Sequence, residues 1–374
     1  MSEKTVLVVF PSIYSLNKIN NLTTNISKIL KIKNQPYENI RKNESLIIVE
    51  ATDPVLASSA VNLLFGIDKI AIAREIDTDF DSALSVITNT TLSLFVKGEK
   101  FYVKVDGKTR KFLAKDLEMA VTTTLVDKSV TLEVRPGSES NHDRLVYAYL
   151  TDSHVYVCIF VDKGLNGLPY YSQKEEILCC IHDELSAISC LQTMKMGFEV
   201  KILVCYRSES DLLKLVKILN KILPRIIEEN IILYTCKINW SSGILTTITA
   251  ITQVMISISL KEKIERISLG ISPMIFPASF CEFNLNLALQ NKITPWIPLS
   301  GIDSEIFENA REIGLEKYIT NLEDLCKKHL NYKRVSMSEV TKYAKDTLKT
   351  LKHIPVTIGP KNIHDIIDSL KSNH

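Results

Sequence analysis

Paired cysteines, long apolar runs and an excess of charge of one sign are all missing from this chain of 374 residues. Its 8 cysteines form no C-x-x-C pairs, so we expect neither a zinc ribbon nor a disulfide framework, and no metal site. We expect no membrane span, which needs an apolar run of roughly 20 residues. The start, Met1–Phe10, also lacks the basic-then-apolar layout of a signal peptide. These absences predict a protein of the reducing cytoplasm with no membrane partner.

The formal net charge of only +2 means that a nucleic acid would have to be bound by a local basic patch. One such basic patch lies in the N-terminal half and includes an aromatic residue. Its members are Lys97, Lys100, Tyr102, Lys104, Lys108, Arg110, Lys111 and Lys115. This clustering predicts contact with RNA phosphates, although a solvated lysine-rich face would give the same pattern. A weaker stripe on the last helix is formed by Lys342, Lys345, Lys349 and Lys352.

The alternation of strand and helix patterns predicts an α/β protein of two or three domains. Near the start, strands at Lys4–Phe10, Ser45–Glu50 and Lys69–Ile76 alternate with two helices, an order typical of a ferredoxin-like domain. In Phe101–Val105 apolar and polar residues alternate strictly, as in a half-buried strand. Other patterns predict strands at 130–134 and 154–161 and long helices at 244–267 and 336–353.

The stretch Ile177–Cys205 carries the most information about function. It has the pattern of a βαβ unit, in which Gly197 ends the helix and the first turn lies at the carboxyl edge of a parallel sheet. Nucleotide-binding versions of this turn are rich in glycine, because backbone N–H groups must approach phosphate. Here the turn consists of Ile181, His182, Asp183, Glu184, Leu185 and Ser186. It has no glycine and two added carboxylates, so we predict the architecture of a nucleotide site without its chemistry.

The adjacent His182, Asp183 and Glu184 also raise the possibility of a metal or general-base cluster. Neighbouring residues rarely point at one metal ion, and no partner histidine can be identified elsewhere in the sequence. A surface loop is the favoured interpretation of these three residues.

Several segments match, in order, the motifs of one known family. Gly164–Gln173 is similar to its G-x-x-G-[FLY]-P-x-G-[ST]-Q linker, and Ile181–Ser186 falls at the place of its S-G-G-x-D-S loop. Met194–Gly197 is similar to M-x-[KR]-[KR]-G. Trp296–Leu299 and Glu305–Gly314 resemble an R-P-L strand and the helix that follows it. By these motifs the chain resembles the tRNA 4-thiouridine sulfurtransferases, a family that also serves thiamine thiazole synthesis.

The resemblance implies four segments and a partner. The segments are an N-terminal ferredoxin-like domain (1–76), a THUMP RNA-binding domain (77–170), a PP-loop ATP-pyrophosphatase-like domain with a parallel Rossmann-like sheet (171–335), and a basic helix with a tail (336–374). The expected partner is tRNA, contacted at its acceptor region. The sequence leaves two further partners open, a second copy of the chain in a homodimer and an active homologue.

The family motifs are only partly kept. Of S-G-G-x-D-S only the last serine, Ser186, remains, and the segment Leu269–Ser272 lacks the acidic residue of the T-G-[ED]-[SN] motif. We therefore predict a degenerate PP-loop and no cofactor. The resemblance makes Cys326 the counterpart of the family's sulfur-accepting cysteine. The adjacent Lys327, Lys328 and His329 would lower the pKa of a reactive thiol, whereas a small buried residue at a helix end is the alternative, and we expect an ordinary thiol.

Two interpretations of function follow. The leading one is a tRNA-binding pseudoenzyme without adenylation activity of its own. The alternative is an active tRNA sulfurtransferase that uses ATP and magnesium to adenylate uridine and delivers sulfur through Cys326.

Overall fold

The computed structural model describes residues 4–327, 335–359 and 366–368. The chain forms two compact units, Met1–Gly167 and Leu168–His374. Each unit contains helices and its own sheet. The predicted α/β multidomain class is confirmed.

The first unit contains a mixed sheet with helices between its strands. Its helices are α1 (Ile19–Ile32), α2 (Pro54–Val61), α3 (Phe80–Leu92) and α4 (Ala114–Lys128). Its strands are β1 (Lys4–Pro11), β2 (Tyr37–Asn43), β3 (Leu46–Ala51), β4 (Ile67–Asp77), β5 (Lys100–Gly107), β6 (Arg135–Pro136), β7 (Arg144–Leu150) and β8 (His154–Asn166). Over the described residues these strands form one sheet in the order β2-β3-β1-β4-β8-β7-β5-β6.

Strand β4 joins the two halves of this sheet. It pairs antiparallel with β1 on one side and with β8 on the other. The segments expected to form the ferredoxin-like and THUMP domains therefore share one sheet, and the expected boundary at residues 76 and 77 lies at the end of β4. The division of the chain into domains stays a prediction.

The two faces of the first sheet are buried in different ways. Phe101, Val103 and Val105 lie in a core with residues of α3 and α4, as their alternation predicts. The opposite face buries Tyr147 and Tyr156 among smaller apolar residues. The Tyr156 hydroxyl accepts a hydrogen bond from Asn43 Nδ2 at 2.7 Å.

The predicted strand at 130–134 is wrong. Val130–Leu132 forms a turn of 3₁₀-helix, and Glu133 has a left-handed backbone with φ 54° that ends any extended run. The strand of this region is β7 (Arg144–Leu150), which we did not predict and which pairs with β5 and β8.

The second unit contains a mainly parallel sheet flanked by helices. Its strands are β9 (Glu176–Ile181), β10 (Glu199–Tyr206), β11 (Asn230–Lys237), β12 (Arg266–Ser268), β13 (Thr294–Trp296) and β14 (Lys352–Thr357). Its helices are α5 (Glu184–Lys195), α6 (Glu209–Ile222), α7 (Ile244–Glu262), α8 (Ala278–Gln290), α9 (Ser304–Glu312), α10 (Glu316–Lys327) and α11 (Met337–Leu348).

The order of this sheet is β13-β12-β9-β10-β11-β14. Strand β9 pairs in parallel with both β10 and β12, so the chain order reverses at β9 and the predicted βαβ unit is confirmed. Gly197 follows α5 with φ 84°, the left-handed conformation that makes glycine suitable at a helix end. Ligands of such sheets bind at the carboxyl ends of the strands, at the point of reversal.

Two predicted helices are shorter than expected. The helix at 244–267 ends at Glu262, because Lys263 adopts φ 61° and the chain then enters β12. The helix at 336–353 ends at Leu348, and β14 follows antiparallel to β11 with Ile354 and Val356 buried. Burial against β11 therefore overrides the helical spacing of the last residues.

Helix α7 is both long and apolar. By length and composition alone it would be long enough to cross a membrane, a run that we did not expect from the sequence. Of an 18-residue stretch of this helix, 61% is buried within the protein, as in a core helix.

Candidate functional site

The turn between β9 and α5 lies where the second sheet reverses its order. Asp183 caps α5, because its Oδ1 accepts a hydrogen bond from the Ser186 N–H at 2.8 Å. The buried Ser186 Oγ accepts hydrogen bonds from the N–H groups of His182 and Asp183, each at 3.0 Å. The same hydroxyl donates to the Asp183 carbonyl at 2.9 Å. The turn is thus closed by its own side chains.

This closure uses groups that a phosphate would need. Three N–H groups, those of His182, Asp183 and Ser186, already have acceptors within the turn. The Asp183 carboxylate also occupies the start of α5, where the helix dipole favours an anion. No residue from Ile181 to Ser186 has a positive φ, so the backbone here requires no glycine.

A glycine of the loop after β12 packs against the turn. A Cβ added to Gly270 would lie 2.8 Å from Ser186 Cβ and 2.9 Å from Ser186 Cα. Any larger residue would push the loop away from the turn, so glycine permits this close approach.

A cavity of about 280 Å³ opens beside the turn. It lies at the carboxyl ends of β9, β10 and β11, next to the start of α7. We call it the β10 cavity, and its lining consists of His182, Asp183, Cys205, Arg207, Asp211, Ile238, Ser242, Ile244, Thr247 and Ile248.

Arg207 is an exposed residue of the β10 cavity whose side chain makes three contacts. Its Nη1 donates to the Trp240 carbonyl and its Nη2 to Thr247 Oγ1, both at 3.2 Å. The guanidinium lies 5.8 Å from the centre of the Trp240 ring, which in turn stacks on Tyr343 of α11 with ring centres 4.3 Å apart. These contacts hold the guanidinium, and both of its hydrogen-bond partners are neutral.

His182 and Cys205 are two further residues that line the β10 cavity. Both ring nitrogens of His182 are buried without a hydrogen-bond partner among the described residues. Its Nε2 lies 3.4 Å from Asp183 Oδ2, close enough for electrostatic attraction but not aligned for a hydrogen bond. The neighbouring Cys180 thiol, together with burial, raises the pKa of Cys205 well above its ordinary value, so Cys205 is a thiol and not a thiolate.

Cys326 lies in α10 and is half-buried. Burial, followed by the nearby Glu323, raises its pKa, which agrees with the ordinary thiol that we expect and not with a thiolate. The charge of Lys327 is drawn to Asp324, 3.9 Å away, and Lys328 and His329 lie outside the described residues. Cys326 is therefore protonated at neutral pH.

Helix α10 nevertheless lies beside the turn. Burial raises the pKa of Tyr318, and the nearby carboxylates of Asp183 and Glu184 and the thiol of Cys326 raise it further. Because electrostatic interactions weaken quickly with distance, Tyr318 lies near both the turn and Cys326.

No family model matches the chain. Two curated relatives match part of it. The probable tRNA sulfurtransferase of Methanosarcina mazei is 26% identical over 192 residues, which are 50% of this chain and 46% of the relative. The probable tRNA sulfurtransferase of Methanosarcina acetivorans is 23% identical over 189 residues, again 50% of this chain and 46% of the relative. The chain spans about half the length of the curated relatives it matches.

Two solved structures have a similar fold. PH1313 from Pyrococcus horikoshii has a TM-score of 0.63 and 18% identity, over 83% of this chain and 100% of that one. A 4-thiouridine synthetase, solved as an RNA complex with bound ATP, has a TM-score of 0.65 and 15% identity, over 94% of this chain and 100% of that one. In half of its sequence the chain is similar to probable tRNA sulfurtransferases. The predicted resemblance is confirmed.

Four of the eight members of the predicted basic patch are paired with acidic residues. The ion pairs are Lys97–Glu133 at 3.0 Å, Lys104–Glu139 at 3.2 Å, Arg110–Asp152 at 3.4 Å and Lys115–Glu118 at 2.6 Å. The first three pairs lie at the surface, where an ion pair contributes little to stability, whereas the Glu118 side chain of the fourth is only 16% exposed. In those three pairs a phosphate group can replace the carboxylate partner at small cost.

The other members of the basic patch have neutral hydrogen-bond partners or none, although Lys111 also lies near the Asp79 carboxylate. Lys100 Nζ donates to Asn141 Oδ1 at 3.3 Å, and Lys111 Nζ donates to the Thr78 carbonyl at 2.6 Å. Lys108 is exposed and has no side-chain partner among the described residues. Tyr102 lies against His142, with ring centres 5.7 Å apart. Lys100 and Lys108 are thus the cations most available to an anion, because Lys111 is also attracted to the Asp79 carboxylate.

From the sequence we did not predict Arg207 and Trp240 as residues of the site. One signal was available, because Arg207 directly follows β10, and residues after parallel strands line ligand sites. No local signal marks Trp240, whose partner Tyr343 is far along the chain. No group of three or more histidine, cysteine, aspartate and glutamate side chains suited to a metal ion occurs among the described residues.

Proposed function

We propose that this sulfurtransferase relative is a tRNA-binding protein without ATP-dependent adenylation activity. One observation carries the second half of the proposal: the turn after β9 satisfies its own N–H groups through Ser186 and places the Asp183 carboxylate at the start of α5. A polyphosphate would meet a negative charge at the place where it needs donors.

The first half of the proposal rests on similarity. Two relatives are named probable tRNA sulfurtransferases, and a protein of similar fold was solved with RNA. We propose tRNA as the partner of this chain, contacted at its acceptor region through the first unit. That unit contains as many acidic as basic residues, so a local surface must supply the attraction.

Calorimetric titration of the full chain with ATP and magnesium tests the missing adenylation chemistry. We expect no binding in the micromolar range. A variant carrying Ile181→Ser, His182→Gly, Asp183→Gly and Leu185→Asp rebuilds the S-G-G-x-D-S motif and serves as the comparison, since it removes the capping carboxylate. Micromolar binding by the unchanged chain that is lost in Ser186→Ala would restore the enzyme interpretation.

Salt-dependent tRNA binding tests the RNA surface. Replacing Lys108, Arg110 and Lys111 together with Ala should weaken binding and lower the salt slope by about one unit per lost phosphate contact. Replacing Lys214, Lys217 and Lys221 with Ala is the matched control, because these exposed lysines of α6 carry the same charge in the second unit. If only the control set weakens binding, the RNA surface lies in the second unit.

One observation favours the alternative of an active sulfurtransferase. Cys326 lies near Tyr318, which is itself near the carboxylates of the turn, so the candidate nucleophile is on the side of the predicted nucleotide site. A protonated thiol without an activated substrate is a poor nucleophile. We expect no thiouridine in tRNA incubated with the protein, ATP and a sulfur donor. Thiouridine that disappears with Cys326→Ser would establish the enzyme.

A further inference from the structure

The β10 cavity contains a cation that is held in place but not neutralised by contact. Arg207 uses two of its N–H groups for Trp240 and Thr247, and a guanidinium has about five such donors in a fixed fork. The guanidinium also lies over the Trp240 ring, 5.8 Å from its centre. A planar, pre-oriented fork of this kind matches a carboxylate in two parallel hydrogen bonds.

A second lining group is also unsatisfied. The His182 ring has two buried nitrogens without hydrogen-bond partners among the described residues. Buried polar atoms in folded proteins almost always have a partner, since an unpaired one costs free energy. These nitrogens are not exposed to the cavity, so His182 forms part of its wall, and the contacts of a ligand must come from other residues.

The cavity also contains negative charge, which limits the ligand that fits. Asp183 and Asp211 both line it, and Asp211 Oδ2 accepts a hydrogen bond from the Arg207 backbone N–H at 2.9 Å. A molecule with several negative charges would be repelled by these two carboxylates. A zwitterion would instead place its anionic group on Arg207 and its cationic group on a carboxylate.

The size of the cavity and its apolar lining further restrict the class of ligand that fits it. The volume of about 280 Å³ lies just below the range of drug-sized ligand sites. Ile238, Ile244 and Ile248 form an apolar part of the wall that suits a short side chain. We propose that the β10 cavity binds a free amino acid, with its carboxylate on Arg207 and its ammonium group facing Asp183. This site does not depend on tRNA binding or on the missing adenylation chemistry.

Thermal unfolding and calorimetry of the full chain with each standard amino acid, added singly, test the proposal. Inorganic phosphate and AMP are the comparison ligands. We expect at least one amino acid to raise the unfolding temperature and to titrate as one site. Arg207→Met should weaken that binding about 10- to 100-fold, the effect of losing hydrogen bonds to a charged group. Lys214→Met is the control, since it removes an equal charge from the exposed face of α6.

A measurement on the unchanged chain makes the test independent of how well Arg207→Met folds. The amine that lacks only the carboxylate of the bound amino acid should fail to bind, and so should its N-acetyl form, which lacks the ammonium group. The proposal is overturned if no amino acid binds, or if the decarboxylated amine binds equally well. It is also overturned if affinity persists in Arg207→Met, or if phosphate or AMP binds in place of amino acids.

Discussion

Replacing Ser186 with Ala tests whether the turn after β9 is held by its own side chains. Ser186 is 1% exposed, and its hydroxyl accepts two N–H groups at 3.0 Å and donates to a carbonyl at 2.9 Å. Alanine removes all three bonds and leaves the N–H groups of His182 and Asp183 without an acceptor. Each unsatisfied donor costs about 1–3 kcal/mol when buried, and these two are partly buried. We expect the free energy of unfolding to fall by about 2–4 kcal/mol.

Urea unfolding measures that loss, and hydrogen exchange of the peptide that contains the turn measures its local part. Ser189→Ala is the matched control, because Ser189 lies in the same helix and is 2% exposed, but its hydroxyl contacts, to Ser268 Oγ and the Leu269 carbonyl, are both 3.4 Å long. This variant should cost less than about 1 kcal/mol. If the two substitutions cost the same and exchange at the turn is unchanged, our account of the turn is refuted.

Three further predictions concern packing and protonation. Gly270→Ala should lower the free energy of unfolding by about 1–3 kcal/mol, because its Cβ would lie 2.8 Å from that of Ser186. Gly301→Ala is the control and should change it little, since a Cβ there would have nothing within 4 Å. Similar free energies of unfolding for the two variants in urea would contradict the close contact. Burial raises the pKa of Tyr156 from 10.0 to about 12, so its protonated form contributes stability that is complete below pH 10 and is lost as the pH rises through 12. The free energy of unfolding should therefore fall less steeply with pH across this range in Tyr156→Phe. Equal pH slopes in the two proteins would show that Tyr156 is not the cause. Because burial and Glu323 raise the pKa of Cys326, iodoacetamide should alkylate Cys326 slowly at neutral pH and faster in Glu323→Gln, with an unchanged rate arguing against the influence of Glu323.

Local periodicity was enough to predict the parts of the fold that depend on neighbouring residues. The alternation in Phe101–Val105, the βαβ unit at Ile177–Cys205 and the helix end at Gly197 are all found where we expected them. The turn could be located in the same way, and its lack of glycine was visible at once. These features follow from side-chain spacing and from the backbone freedom of single residues.

Features that depend on distant residues were decided by the tertiary structure. The pairing of β4 with both β1 and β8 makes one sheet of two predicted segments, and β14 pairs with β11, which lies far earlier in the chain. The acidic partners of the basic patch include Glu133, Glu139 and Asp152, which only folding brings near it.

The chemistry of the site followed the same division. From the sequence alone, the basic neighbours of Cys326 left a lowered pKa open, whereas burial in α10 and Glu323 raise it. The sequence determined which groups the turn contains, but folding decided that Ser186 and Asp183 would satisfy its N–H groups and that Arg207 would line the cavity beside it. Desolvation and hydrogen bonding depend on what surrounds a group in space, and that environment is assembled from residues far apart in the chain.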